Sequence, residues 1–207
     1  MTPWVILLLL ANPVVVRDET LKPVQLGLIL EAEDRLNPET RAWFRSETER
    51  ILKPLPVSIG WRSLERYDRR ESFDRIIVLR LKGDCVWPDS EFSPERPLGF
   101  THVTSGAVLP YVELDCLSIQ RTLLSKLEPS VVRRSRMLGI GLGRVTAHEI
   151  YHVLSGSTAH AASGVAKRAF SREDLFRSDV GLDASSIELI RKRISAERPL
   201  LLETTEP

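Results

Sequence analysis

The sequence predicts an α+β fold, in which a twisted mixed β-sheet packs against a backing helix and a second, functional helix, with a small helical part at the C-terminus. Three observations predict it. Several short runs in the first 115 of the 207 residues are rich in β-branched and apolar side chains. A capped helical segment separates the first two of these runs. A helical stripe of small and apolar residues follows the last run.

The first run, 24–30, is continuously apolar and is predicted as a buried strand. Asn37 and Pro38 form a good helix start, with a capping side chain followed by proline at the first helical position. We expect this helix to reach about Lys53, because Pro54 follows.

Four further runs are predicted strands: 57–61, 75–81, 99–103 and 107–114. The last two flank Ser105-Gly106, which indicates a hairpin or a bent edge. Proline cannot donate to a strand ladder, so Pro110 favours an edge position for the strand that contains it.

The functional helix is indicated by Gly143, Ala147, Ile150 and Leu154, which recur at helical spacing along one face. Gly156 follows as a helix stop. Two short helices are expected after it, 171–178 and 184–196, the second with a stripe of isoleucines.

The chemistry of the chain is concentrated on this helix, at His148, Glu149 and His152. Histidines four residues apart lie on one helix face and can reach one metal ion. Glu149 lies about 100° around the helix from His148, where it can contact a water on that ion. The spacing predicts a zinc site with a hydrolytic carboxylate.

Catalytic zinc usually takes three protein ligands, and two residues can supply the third. His160 follows the Gly156 stop, so the chain can double back under the metal. Glu173 lies on a later predicted helix, where Ser171-Arg172-Glu173-Asp174 also fits a capping box. We favour His160 because zinc prefers nitrogen ligands, and keep Glu173 as the alternative.

The run His148-Glu149-x-x-His152, with a later glycine and third histidine, resembles the zincin metallopeptidases and in particular the metzincin branch. The resemblance covers Val24 to His160. The loop to the third histidine is two residues longer than the usual H-E-x-x-H-x-x-G-x-x-H, and no methionine follows the helix to form a Met-turn.

This resemblance implies a zincin-like fold and a zinc-dependent endopeptidase with one Zn²⁺, in which Glu149 is the general base toward a metal-activated water. It also implies that the region from Phe100 to Leu114 binds extended peptide by strand addition, although an ordinary solvent-facing edge is an equal interpretation. His102, in this region, is interpreted as a surface residue. Two alternative functions are a non-catalytic zinc-binding module and a zinc hydrolase of a non-peptide amide.

Bulk properties fit one soluble domain whose partner is a peptide or protein substrate. With 43% hydrophobic residues the chain can bury one core, and we expect a monomer. The 29 basic and 28 acidic residues nearly cancel, which argues against nucleic-acid binding. The glycine-rich run 139–143 lacks the context of a phosphate loop and is better explained by close helix packing.

The N-terminal apolar run 4–11 is too short to span a bilayer but has the length of a signal-peptide core. We therefore expect residues 1–16 to be an export signal, or else an N-terminal segment of the fold. Residues 17–207 are expected to form one zincin-like domain, with the sheet-containing part ending near 156. The expected location is secreted or periplasmic, with the cytoplasm as the alternative.

Cys85 and Cys116 are the only cysteines. An even pair in an exported domain predicts a disulfide, and two separate buried thiols are the alternative.

Overall fold

The computed structural model describes residues 22–85, 97–123, 130–175 and 177–202, so the predicted signal segment 1–16 lies outside the described residues. The strands are β1 (Val24–Glu31), β2 (Val57–Ser63), β3 (Arg75–Lys82), β4 (Gly99–Thr104) and β5 (Ala107–Asp115). The helices are α1 (Pro38–Leu52), α2 (Cys116–Leu123), α3 (Val131–Ser155) and α4 (Ala184–Leu202). Short 3₁₀ turns cover Glu33–Arg35, Leu64–Arg66 and Glu173–Leu175.

The five strands form one mixed sheet in the order β2-β1-β3-β5-β4. The first four strands in that order are parallel to their neighbours, and β4 pairs antiparallel with β5 at the sheet edge. The α+β class and the mixed sheet are thereby confirmed. The antiparallel pair is the predicted hairpin, and it turns at Ser105 and Gly106, which both have positive φ.

The prediction that Pro110 marks an edge strand is wrong, because β5 pairs on both sides. Pairing with β3 begins only at Tyr111, one residue after the proline. The register with β4 shifts between Thr101 and Val103, which leaves an irregularity opposite Pro110. An internal strand tolerates the missing N–H because the proline lies at this bulge.

Helix α1 begins as predicted, with the Asn37 side chain accepting a hydrogen bond from the backbone N–H of Thr40 at 2.8 Å. It packs against α3, and two glycines of α3 set the close approach. A β-carbon added at Gly139 would lie 2.6 Å from the Thr40 carbonyl oxygen, and one at Gly143 would lie 3.0 Å from that of Phe44. Close helix packing therefore accounts for these glycines, as expected.

Helix α2 was not predicted; its first residue is Cys116, which the sequence placed at the end of a strand. Cys116 forms a disulfide with Cys85, just after β3, and their Cα atoms are 5.0 Å apart. The predicted bridge is thus present and connects the ends of neighbouring strands. No helix in the described ranges is long and apolar enough to cross a membrane.

The predicted helix 171–178 is wrong: a single 3₁₀ turn, Glu173–Leu175, stands there. Its capping residues are as expected, since Ser171 Oγ accepts from the backbone of Asp174 and Asp174 Oδ2 accepts from the backbone of Ser171. Helix α4 is confirmed, and its isoleucines at 190 and 194 are buried against the core.

Candidate metal centre

Three of the four histidines come together at the C-terminal half of α3. His148 and His152 are each 7% exposed, one turn apart on that helix. His148 Nδ1 lies 2.9 Å from the Val165 carbonyl oxygen, and His152 Nδ1 lies 2.7 Å from that of Ser157. Carbonyl oxygens only accept, so each Nδ1 carries the proton and each Nε2 keeps a free lone pair.

The two Nε2 atoms face each other at 3.2 Å. With both protons on Nδ1, no hydrogen is left to place between them, and the two lone pairs repel. A cation relieves this repulsion. Two nitrogens bound tetrahedrally to one zinc at ~2.0–2.1 Å are about 3.4 Å apart, so the spacing fits zinc.

His160 completes the group from the loop after α3. The imidazole nitrogens of His148, His152 and His160 lie within 4.8 Å of one another. His160 itself is exposed, and its ring centroid is 4.8 Å from that of His152 and 5.2 Å from that of His148. Glu173 is exposed on its 3₁₀ turn and does not belong to this group.

The loop after His160 places the carbonyl that orients His148. Val165 is fully buried, and its backbone N–H donates to the Gly181 carbonyl at 2.7 Å. The backbone N–H of Ala161 donates to the carbonyl of Ala166 at 2.9 Å and closes the loop. Hydrogen bonds of this kind fix the tautomer and ring orientation of metal-binding histidines.

The surroundings keep these imidazoles neutral. Burial lowers the pKa of His148 to about 4; the Val165 carbonyl opposes this, while His152 and His160 add to it. Burial also lowers the pKa of His152 and of His160, and the charge of Arg168 lowers the latter further. Neutral imidazole is the form that binds a metal.

The Glu149 side chain extends from α3 to the edge strand β4. Thr101 Oγ1 donates to Glu149 Oε2 at 2.6 Å. Gly99, two residues earlier on the same strand face, makes room for the carboxylate, since a β-carbon there would lie 2.8 Å from Oε1. Burial raises the pKa of Glu149 to about 7, although the hydrogen bonds from Thr101 lower it.

These groups line an open cavity of about 500 Å³. Apolar side chains make up most of its wall, among them Leu98, Phe100, Val103, Val108, Val145 and Phe170. His102 does not line it; its ring stacks edge-on with Phe100 and Tyr111, as expected for a residue away from the site.

Arg144, one turn before His148, connects α3 to its surroundings. Its side chain is 2% exposed, and Nε donates to Glu47 Oε1 on α1 at 2.7 Å. Nη1 donates to the Asp174 carbonyl at 2.7 Å, and Nη2 donates to the carbonyl of Arg177. One buried guanidinium thus connects α1, α3 and the C-terminal segment.

Sequence reasoning missed four contributors: Gly99, Thr101, Arg144 and the carbonyl of Val165. The spacing of a metal motif reports helix geometry, whereas these groups meet it only through tertiary structure. Arg144, the one charged residue in the apolar and small run 137–147, was the one available signal.

No protein-family model matches this chain, and no curated protein matches it. Among solved structures, the chain is similar to the crystal structure of an archaemetzincin from Methanopyrus kandleri. The TM-score is 0.49 at 13% sequence identity, and the match covers 87% of this chain and 99% of that one.

Proposed function

We propose that this protein is a zinc-dependent endopeptidase, in which His148, His152 and His160 hold one zinc ion and Glu149 is the general base. The observation that carries the proposal is the pair of unprotonated Nε2 atoms 3.2 Å apart, with a third imidazole and a buried carboxylate beside them. Three nitrogen ligands are the donor set of a catalytic zinc, which keeps a further position for water or substrate.

When bound, zinc would polarise the scissile carbonyl and lower the pKa of water toward about 7. Glu149 takes the proton of the attacking water and passes it to the leaving amine. Its pKa of about 7 suits both transfers near neutral pH. The hydrogen bond from Thr101 keeps one carboxylate oxygen in place and leaves the other for this proton.

Extended peptide would bind along β4. In the part of the chain that the structure describes, no strand pairs with its outer edge. β4 also borders the cavity through Gly99, Phe100 and Thr101. Strand addition to such an edge recognises backbone and gives broad side-chain tolerance.

We further propose that residues 17–207 act as one zincin-like domain, that the protein is exported, and that it works as a monomer. The disulfide between Cys85 and Cys116 supports an oxidising compartment, because such bridges persist outside the reducing cytosol.

The first experiment is metal analysis of the purified protein together with a proteome-derived peptide cleavage screen. We expect one zinc per chain and cleavage that stops on zinc removal. Tight zinc binding with no cleavage of any peptide would favour the non-catalytic module.

The third ligand is tested by zinc affinity. His160→Ala should weaken zinc binding by more than about 100-fold, since it removes a direct ligand. Glu173→Ala is the matched control and should bind like the parent. A large loss in Glu173→Ala alone would reverse the assignment.

A further inference from the structure

The cavity beside the histidines is lined by one positively charged side chain among the described residues, that of Arg168. Of the described residues that line it, only Glu149 and Arg168 have side chains with a full charge when the histidines are neutral. Glu149 is buried and hydrogen-bonded to Thr101, whereas Arg168 is exposed. A ligand entering the cavity therefore meets an accessible positive charge.

The Arg168 side chain makes no stabilising polar contact with the described part of the fold. Other cations of the C-terminal part have carboxylate partners: Lys167 pairs with Asp174 at 2.6 Å, and Arg193 pairs with Glu197 at 2.7 Å. Within the described ranges, no carboxylate forms an ion pair with Arg168 and no hydrogen bond fixes its side chain. Its guanidinium can therefore bind an external anion without breaking an internal contact.

The walls around this cation are apolar. Phe100 and Val103 are 49% and 43% exposed on β4, and Phe170 lies two residues beyond Arg168. Such walls contact an apolar side chain of a ligand. Because Arg presents a planar fork of donors that matches a carboxylate, the anion best suited to it in a peptide is a carboxylate.

We propose that Arg168 is a specificity-determining residue that binds a carboxylate of the peptide substrate while the apolar walls contact a neighbouring side chain. The proposal rests on the proposed peptidase function. The carboxylate can come from the C-terminus of the peptide or from an acidic side chain, and the test separates the two.

The test measures equilibrium peptide binding by calorimetry in the zinc-loaded Glu149→Gln variant, which is expected to bind without cleaving. Four acetylated peptides share a central leucine. One pair ends in alanine as the free acid or the amide, and the other pair carries glutamate or glutamine before a terminal amide. At least one acid should bind about tenfold more tightly than its amide partner, and the preferred pair identifies the source of the carboxylate.

Adding Arg168→Gln should remove that preference while zinc content stays at one per chain. Adding Arg69→Gln, which changes an exposed arginine that does not line the cavity, should leave the preference unchanged. Raising the salt concentration should also weaken the binding of the preferred acid peptide and leave the binding of its amide partner unchanged.

Equal binding of acid and amide in both pairs, a preference that survives Arg168→Gln, or no binding of any peptide would overturn the proposal. Because the readout is binding, its failure is distinct from failure of the peptidase function. A cleaving enzyme with no acid preference would refute only the role of Arg168, and an acid preference without cleavage by the parent would refute only the peptidase.

Discussion

Thr101 Oγ1 donates a hydrogen bond of 2.6 Å to Oε2 of Glu149, and this contact joins the edge strand β4 to helix α3. Both residues are buried, with 7% and 5% exposure. A hydroxyl that donates to a carboxylate stabilises the charged form and fixes its orientation. The contact therefore links the strand proposed to bind substrate with the residue proposed to move the proton.

Thr101→Val removes this hydrogen bond and keeps the shape of the side chain. The pKa of Glu149, already raised to about 7 by burial, should then rise further, because a contact that favours the carboxylate is lost. Less carboxylate is present at pH 7, so kcat/KM should fall by about tenfold there and recover partly as the pH is raised.

Thr101→Ser is the matched control, since it keeps the hydroxyl and should keep the pH profile of the parent. The measurement is kcat/KM against pH for the three proteins at full zinc occupancy. A Thr101→Val profile that overlays the parent profile would exclude a role for this hydroxyl.

Arg144→Met should destabilise the fold by about 2–3 kcal/mol, because it removes one of the two guanidinium groups that bind the buried Glu47 carboxylate, the other being that of Arg50. The double variant Glu47→Leu/Arg144→Met should recover part of that loss, since the buried carboxylate is removed together with Arg144 and the remaining partner, Arg50, is exposed to solvent. Urea unfolding of the metal-free proteins measures both, and equal instability of the single and double variants would contradict this explanation.

The ion pair of Glu47 and Arg144 also predicts that the stability of the fold depends on pH. Burial raises the pKa of Glu47, but hydrogen bonds from Arg50 and Arg144 lower it more, so the pKa lies below the usual value of 4.5. A lowered carboxyl pKa contributes stability above pH 4.5 that is lost as the pH falls through the pKa of the folded state. Arg144→Met should therefore lose less stability than the parent between pH 5 and 3.

Gly156→Ala should destabilise the C-terminal end of α3. Gly156 has φ +60°, and an added β-carbon would meet the Arg193 guanidinium, which donates to the Ser155 carbonyl at 3.0 Å. The left-handed backbone alone costs about 1–2 kcal/mol in a residue with a β-carbon. Gly181→Ala has open space and should cost nothing. Urea unfolding of both variants checks this, and equal stability of the two would refute it.

Much of the fold follows from local patterns in the sequence. Asn37 and Pro38 mark the start of α1, and Gly156 marks the end of α3, because capping chemistry depends only on adjacent residues. Helical spacing alone places His148 and His152 on one face. The strands are likewise predicted by a local property, the β-branched and apolar side chains that they contain.

The remaining features depend on contacts distant in sequence. Pro110 by itself indicates an edge strand. The bulge that lets it lie in an internal strand arises only when β4 pairs with β5, so the local sequence does not reveal it. Thr101 meets Glu149 across 48 residues, and Val165 meets His148 across 17. The 3₁₀ turn at Glu173 keeps the capping residues of a helix but does not extend, since its local signal covers only one turn.

The most direct test of the central claim compares peptide cleavage by the zinc-loaded parent with that by zinc-loaded Glu149→Ala. Glu149 is proposed to move the proton but not to bind zinc, so the variant should retain one zinc per chain and lose about 10²- to 10⁴-fold in kcat. A variant that retains its zinc and cleaves as fast as the parent would contradict the assignment of Glu149 as the general base of a zinc peptidase.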